Sequence, residues 1–177
     1  LDVGIISGDI PIKNWQLTEW DDIDDIGPTV IEEKIFAGHK TCYGCGVACK
    51  KNAEVKDGPF KMEKGPGPEY ETIATFGTMC LNSSIESIAK ANEICNRYGM
   101  DTITCGATIA FAIECFENGL ISEKDTNGIS LAWGNSEAIV QMVEKIAKQE
   151  GFGVVLGQGS QKAAEQIGGN AADFLTT

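Results

Sequence analysis

The stretch "TITCGATIAFAIECFENG", at residues 102–119, decides the fold. It is apolar on nearly every side of a 3.6-residue period, which is typical of a helix buried in the centre of a domain. Asp101 or Thr102 can begin this helix, and Gly119 can end it in the left-handed conformation that glycine adopts without strain. A buried central helix needs other helices around it.

Those neighbours are predicted from amphipathic patterns on both sides of the central stretch. Capping residues among Asn82, Ser83 and Ser84 precede "IESIAKANEICNRY", which Gly99 ends. Further helices are predicted for "EYETIATFGTM", for "EAIVQMVEKIAKQEG" (capped by Asn135 or Ser136 and ended by Gly151) and for "GSQKAAEQIGG". With five or six helices, no convincing alternating strand and no internal repeat, the expected fold class is mainly α, a multihelical domain.

The N-terminal third has a different character. Residues 1–27 are turn-rich, and only "PTVIEEKIFA", at residues 28–37, has helical character. The prolines and glycines between Gly58 and Pro68 predict a hinge without regular structure. We therefore expect one domain over residues 1–177, with an irregular N-terminal part that carries a cysteine loop (1–55) and a helical core (69–177).

Composition excludes some classes of partner. The chain has 14 Lys and Arg against 26 Asp and Glu, a net charge of −12, which argues against nucleic acid or an anionic membrane as partner. No apolar run has the length of a membrane helix, and no signal peptide is visible. The seven cysteines are an odd number and mostly scattered, so a reduced, cytoplasmic protein is expected. The missing initiator Met suggests a fragment of a longer polypeptide.

The segment "KTCYGCGVACKK", at residues 40–51, is the strongest chemical signal. Gly44 and Gly46 allow a tight loop that brings Cys42, Cys45 and Cys49 together. Three thiolates are an incomplete metal site. A [4Fe–4S] cluster would need a fourth ligand from a scattered cysteine or from outside the segment, a structural zinc could use His39, and an unmetallated loop is the third alternative. Lys50 and Lys51 would offset the negative charge of a cluster.

Taken together, "CYGCGVAC", "GPEYET", "NRYGMDTITCG" and "WGNSEAIVQMVEKIA…EG" resemble the tungsten- and molybdenum-dependent aldehyde:ferredoxin oxidoreductase family. The resemblance runs in order over nearly the whole chain. It implies a multihelical fold, and it implies that the chain is the middle part of a longer catalytic polypeptide.

The resemblance also implies site residues. Cys42, Cys45 and Cys49 would hold a [4Fe–4S] cluster close to tungsten or molybdenum bound by two pterin dithiolenes, and the fourth ligand would come from a later region. The active-site acid would be Glu71, with Glu69 as its competitor.

The family's pterin motif corresponds to Asn96, Gly99, Met100 and Asp101, with Asn96 where the family has Asp. This substitution keeps a hydrogen-bond acceptor but removes the charge. A helix end at Gly99 followed by an Asp cap explains the same pattern without any cofactor. The stretch "AKANEIC" lacks the Glu-x-x-His pair of some members, so no iron site between subunits is expected.

The resemblance implies an oxidoreductase that converts aldehydes to carboxylic acids and passes electrons to ferredoxin or another redox subunit. One alternative is a related reductase that acts on aromatic acyl thioesters at low potential. Another, from a different class, is a zinc-stapled helical interaction domain without catalysis. The fragment alone is expected to be catalytically silent.

Overall fold

The computed structural model describes Gly4 and residues 7–176, and this part of the chain is mainly helical. Its α-helices are α1 (Pro28–Lys34), α2 (Tyr70–Phe76), α3 (Ile85–Tyr98), α4 (Thr102–Glu117), α5 (Ser136–Lys148), α6 (Gly153–Leu156) and α7 (Ser160–Ile167). Short 3₁₀ turns cover Asp21–Ile26, Thr78–Cys80 and Ala171–Phe174. The mainly α, multihelical fold class is confirmed. The first residues of the predicted turn-rich segment (1–3, 5 and 6) lie outside the described residues.

The sequence offered no convincing alternating strand, but the structure contains three, and the prediction of a hinge without regular structure was wrong. Strands β1 (Phe36–Lys40), β2 (Lys50–Val55) and β3 (Met62–Pro66) form an antiparallel sheet in the order β1–β2–β3. The strands are short, few of their residues are buried, and both pairings contain register shifts, so alternation of apolar and polar residues is weak. β3 even lies inside the Pro- and Gly-rich hinge, where Pro66 is tolerated because it ends an edge strand.

Helix α4 is the centre of the core, as its sequence predicted. Ile109, Phe111 and Ile113 are at most 1% exposed. α4 packs against α2, while α3 packs against α5. The contact between α2 and α4 is close, because a Cβ on Gly106 would lie 2.6 Å from the Cβ of Thr75. The backbones of α2 and α4 therefore lie closest to each other at Gly106, where there is no room for a side chain.

Helix ends follow the predicted capping chemistry. The side chains of Ser84, Asp101 and Asn135 accept hydrogen bonds from backbone N–H groups in the first turns of α3, α4 and α5. Gly99 ends α3 with φ +70°, as expected for a left-handed C-terminal residue. α5, however, ends at Lys148 with Gln149 in the left-handed conformation, before the predicted stop at Gly151. No described helix is both long and apolar enough to cross a membrane.

Candidate functional site

The cysteine loop is the tip of the hairpin between β1 and β2. Cys42, Cys45 and Cys49 are all free and exposed. The N–H of Cys45 donates to the carbonyl of Cys42 at 3.1 Å, and Gly44 has φ +70°, so the loop turns tightly at its first two cysteines. In the described ranges, no three His, Cys, Asp or Glu side chains are grouped to hold a metal ion. The thiols share one loop but are not preassembled.

His39, the partner that a Cys₃His zinc site would need, faces other neighbours. Its ring makes an edge contact with Phe36, with centroids 5.2 Å apart. It also lines a small cavity with Pro28 and Ile31, whereas Cys42 lines a different one. The structure does not gather His39 with the loop cysteines.

The other four cysteines behave as buried apolar residues. Cys80, Cys95, Cys105 and Cys115 all lie in the core. Burial raises the pKa of Cys115 to about 12 and also raises the pKa of Cys80. The pKa of Cys105 is raised by its contact with Cys95 and by burial. Cys80, Cys105 and Cys115 therefore stay protonated. All four side chains are buried away from the exposed loop, so they do not supply its fourth ligand.

A groove connects the cysteine loop to the corner between α3 and α4. Its volume is about 440 Å³, and Cys42, Glu69, Asn96 and Thr102 are among its lining residues. These residues come from a hairpin, from the residue before α2, from the end of α3 and from the start of α4. The fold thus brings four separate segments of sequence to one cleft.

Of the four residues predicted to bind pterin, Asn96 alone lines this groove. Gly99 ends α3, and Met100 is partly buried against the core. The carboxyl of Asp101 accepts a hydrogen bond of 2.6 Å from the N–H of Thr104. This hydrogen bond is the main reason why the pKa of the Asp101 carboxyl is lowered. Local structure accounts for the positions of Gly99, Met100 and Asp101.

The structure adds polar groove residues that the sequence did not reveal. The hydroxyls of Thr72 and Thr102 lie 2.8 Å apart and join α2 to α4. The side chain of Asn92 donates to the carbonyl of Pro66 at 2.9 Å and fixes the hinge against α3. Asn92 and Thr72 are buried polar residues, and burial of a polar side chain points to a specific role. Only the tertiary structure shows that both residues border the groove.

The two candidate acids face different cavities. Glu69, the last residue before α2, lines the groove with Cys42 and also a cavity of about 250 Å³ with Cys49. Glu71 lines a separate cavity of about 360 Å³ with Trp15 and Ile103. Both carboxylates are exposed. Glu69 is therefore on the cysteine side of α2, and Glu71 is on a mainly apolar side.

Tyr70 lies between the two acids and borders two of these cavities. Partial burial raises the pKa of its phenol, and the negative charges of Asp9 and Glu71 raise it further. The phenol therefore stays protonated and is a hydrogen-bond donor at the edge of the apolar cavity.

Comparison with known proteins places the chain in a family. The family model described as aldehyde ferredoxin oxidoreductase, domains 2 and 3, matches residues 2–177. A tungsten-containing aldehyde ferredoxin oxidoreductase of Pyrococcus furiosus is 32% identical over 163 residues, which cover 92% of this chain and 26% of the relative. An aliphatic sulfonate oxidoreductase, WOR-like subunit, of the same organism is 31% identical over 158 residues, which cover 89% of this chain and 25% of that relative.

A solved structure shares the fold. It is the active site complex BamBC of benzoyl coenzyme A reductase with 1,5-dienoyl-CoA, with a TM-score of 0.74 and 21% identity over 93% of this chain and 24% of that one. The chain spans about a quarter of the length of the relatives it matches. From the family match over nearly all of its residues, the chain belongs to the aldehyde ferredoxin oxidoreductase family, a family of oxidoreductase enzymes.

Proposed function

We propose that the chain works inside a longer polypeptide that oxidises aldehydes to carboxylic acids. In this proposal the chain contributes three ligands to a [4Fe–4S] cluster and part of the site for tungsten or molybdenum held by two pterins. Ferredoxin, or another redox subunit, accepts the electrons. The observation that carries the proposal is the groove that joins Cys42 to Glu69, Asn96 and Thr102. A cytoplasmic location remains a prediction.

The residues present fit an iron–sulfur cluster. Cys42, Cys45 and Cys49 are exposed, free thiols on one loop, and thiolates are the ligands that iron–sulfur clusters require. Lys50 and Lys51 directly follow the loop and would offset negative charge. The fourth ligand would come from outside the described residues, because the remaining cysteines are buried in the core.

The groove also fits the polar edge of a pterin. Asn96 is exposed and offers an amide, Thr102 offers a hydroxyl, and Cys42 of the cysteine loop lines the same groove. When bound, the metal supplies two-electron oxidation and the cluster supplies single-electron transfer. The role of the groove residues is to orient the cofactor next to the cysteine loop.

The aldehyde would occupy the cavity beside Glu71, which adjoins the cysteine side at Tyr70, because Tyr70 also borders the cavity that Cys49 and Glu69 line. Trp15, Met79 and Ile103 give this cavity an apolar wall, which suits the hydrocarbon part of an aldehyde. Oxidation of the hydrated aldehyde to the acid releases two protons and two electrons. The carboxylate of Glu71 accepts one of these protons from a substrate hydroxyl, and the phenol of Tyr70 donates a hydrogen bond to the substrate oxygen. Glu69, on the cysteine side, is the competing acid.

Reduction of an aromatic acyl thioester is the second candidate function. It is favoured by the aromatic rings of Trp15 and Tyr70 in the apolar cavity. The likeness to the BamBC complex, at 21% identity, concerns the fold alone, so aldehyde oxidation is preferred.

The test uses the full-length polypeptide that contains this segment, purified without oxygen. Glu71→Gln should lower aldehyde turnover with a viologen dye by a factor of about 10² or more, the usual contribution of a positioned acid or base. Glu69→Gln, the matched control, should have a much smaller effect. The opposite order would assign the acid to Glu69. A full-length protein that is colourless, contains one zinc and turns over neither aldehyde nor thioester would replace the proposal by a zinc-stapled interaction domain.

A further inference from the structure

Exposed apolar side chains collect at the cavity beside Glu71. Eight large apolar side chains are exposed in the described part of the chain, and three of them, Trp15, Tyr70 and Ile103, line this one cavity of about 360 Å³. A cluster of exposed apolar groups marks a binding site, whereas single ones are ordinary. Trp15 is the largest of the three and is 55% exposed, so its indole is available to a ligand.

Trp15 lies in a backbone turn of unusual conformation. Lys13, Asn14 and Trp15 have φ +48°, +49° and +66°. This left-handed conformation is unfavourable for residues with a Cβ, and three in succession persist only where surrounding contacts hold them. The N–H of Lys13 donates to the carbonyl of Thr78 at 3.0 Å. The next N–H, of Asn14, donates to the carbonyl of Met79 at 3.0 Å, so the turn is fixed to a residue that itself lines the cavity.

Side chains attach the same turn to α4. The amide of Asn14, which is 5% exposed, donates to the carboxylate of Glu114 at 2.5 Å, and Lys13 pairs with Glu117 at 3.1 Å. Glu114 lies about two helical turns beyond Ala107, which lines the cavity, so these two residues are on the same side of α4. The helix that forms one wall of the cavity therefore also holds the residue that precedes the indole.

The other lining side chains suit a flat ring. Ala74 and Ala107 have only a methyl group, and Met79 is unbranched and adaptable. The volume of about 360 Å³ is at the lower end of the range for small-molecule pockets, about 300–1,000 Å³, which favours a compound with a single ring. An aromatic ring gains interaction with an indole beyond the area that it buries, whereas a saturated ring of the same size gains burial alone.

We propose that Trp15 is a specificity-determining residue that favours aldehydes with an aromatic ring, and that Asn14 positions it. This inference rests on the proposed function, since Glu71 and Tyr70 of the same cavity act on the aldehyde group. The indole packs against the ring of the substrate while the aldehyde group is at Glu71 and Tyr70. Aliphatic aldehydes enter the same cavity but lack this contact.

The experiment compares kcat/KM for benzaldehyde and for cyclohexanecarbaldehyde, its saturated counterpart, in the cofactor-loaded full-length protein with a viologen dye. Trp15→Leu should lower the ratio of the two values about five- to tenfold, because an aromatic contact contributes such a factor beyond burial. Trp15→Phe, which restores a ring, should keep most of the preference. The matched control, Leu17→Ala, removes an exposed apolar side chain of the same segment that is not among the residues lining the cavity, and it should keep the wild-type ratio.

The same ratio tests the role of Asn14, because a merely structural role would lower stability without changing substrate preference. Asn14→Ala removes the attachment to α4 and should lower the ratio, at a temperature where the protein remains folded. Glu114→Gln keeps an acceptor for the Asn14 amide and should preserve the ratio. Glu114→Leu removes this acceptor and should lower the ratio as Asn14→Ala does.

Other results would overturn the inference. If Trp15→Leu keeps the wild-type ratio, or loses activity on both aldehydes by the same factor, Trp15 does not select the ring. If the wild-type protein oxidises neither aldehyde, the proposed function fails, and calorimetric binding of benzoate then decides the inference separately. Weaker benzoate binding in Trp15→Leu but not in Leu17→Ala would keep the ring site, and equal binding in all three proteins would remove it.

Discussion

Replacing Gly106 by alanine tests how closely α2 and α4 must approach. A Cβ at this position would lie 2.6 Å from both Cβ and Oγ1 of Thr75, and 3.0 Å from the backbone carbonyl carbon of Thr75. Thr75 is itself buried. Because Cβ and the carbonyl carbon cannot rotate away, the two helices would have to move apart.

The magnitude follows from two opposing effects. Alanine in place of glycine inside a helix stabilises by about 1 kcal/mol. Overpacking a core costs about 1–3 kcal/mol, and contacts with backbone and Cβ atoms favour the upper end. The net expectation is a loss of about 2 kcal/mol, which for a chain of 177 residues lowers Tm by about 4–8 °C. Urea unfolding and a thermal scan of the same variant measure both quantities.

Ala107→Gly is the matched control in the next position of α4. Ala107 is partly buried against the core, so this change should destabilise through lost helix propensity and a lost methyl contact. If helix propensity alone acted, Gly106→Ala would raise the free energy of unfolding and Ala107→Gly would lower it. Close packing makes both changes destabilising. A higher Tm for Gly106→Ala would refute the close contact between α2 and α4.

Three further predictions concern the cap of α4, a buried hydrogen bond and the cysteine loop. Asp101→Ala should lower the free energy of unfolding in urea by about 1 kcal/mol, and Asp101→Asn should lower it by less. The pKa of Asp101 is lower in the folded state. Its charge therefore stabilises the fold above the unfolded pKa, and this stabilisation is lost as pH falls through the folded pKa. Asn14→Ala should cost about 2–3 kcal/mol, because the buried carboxylate of Glu114 loses a hydrogen bond of 2.5 Å. Serine at any of the three loop cysteines should abolish the visible iron–sulfur absorption of the reconstituted full-length protein, whereas Cys115→Ala should retain it.

Local chemistry explains what the sequence predicted well. The caps at Ser84, Asp101 and Asn135 each depend on a side chain and an N–H group three residues later, so a short window of sequence contains the whole interaction. The burial of α4 was predictable for a similar reason, because its own composition leaves no polar face for solvent.

The sheet was missed because its stabilising contacts are not local. The N–H of Glu54 donates to the carbonyl of Ile35, and the N–H of Gly67 donates to the carbonyl of Lys51. These are backbone bonds, so side-chain patterns do not reveal them, and β1 and β2 have exposed lysines where a typical strand has β-branched residues. The groove was hidden for the same reason, since Cys42 and Thr102 are far apart in the sequence.

The close contact at Gly106 also bears on which carboxylate can act as the acid. Glu69 has extended backbone, at φ −84° and ψ 172°, and the helix begins at the next residue, so Glu69 and Glu71 leave the start of α2 towards different cavities. That start is attached to α4 by the Thr72–Thr102 hydroxyl pair at 2.8 Å and, one turn later, by the Thr75–Gly106 contact. A Cβ at Gly106 would push α2 from α4 and move both carboxylates. Since misplacing a catalytic group by about 1 Å can cost about 10²-fold in rate, Gly106→Ala should reduce aldehyde turnover of the full-length protein more than Ala107→Gly does, at a temperature where both remain folded. Equal turnover in the two variants would mean that the position of the acid does not depend on this helix contact.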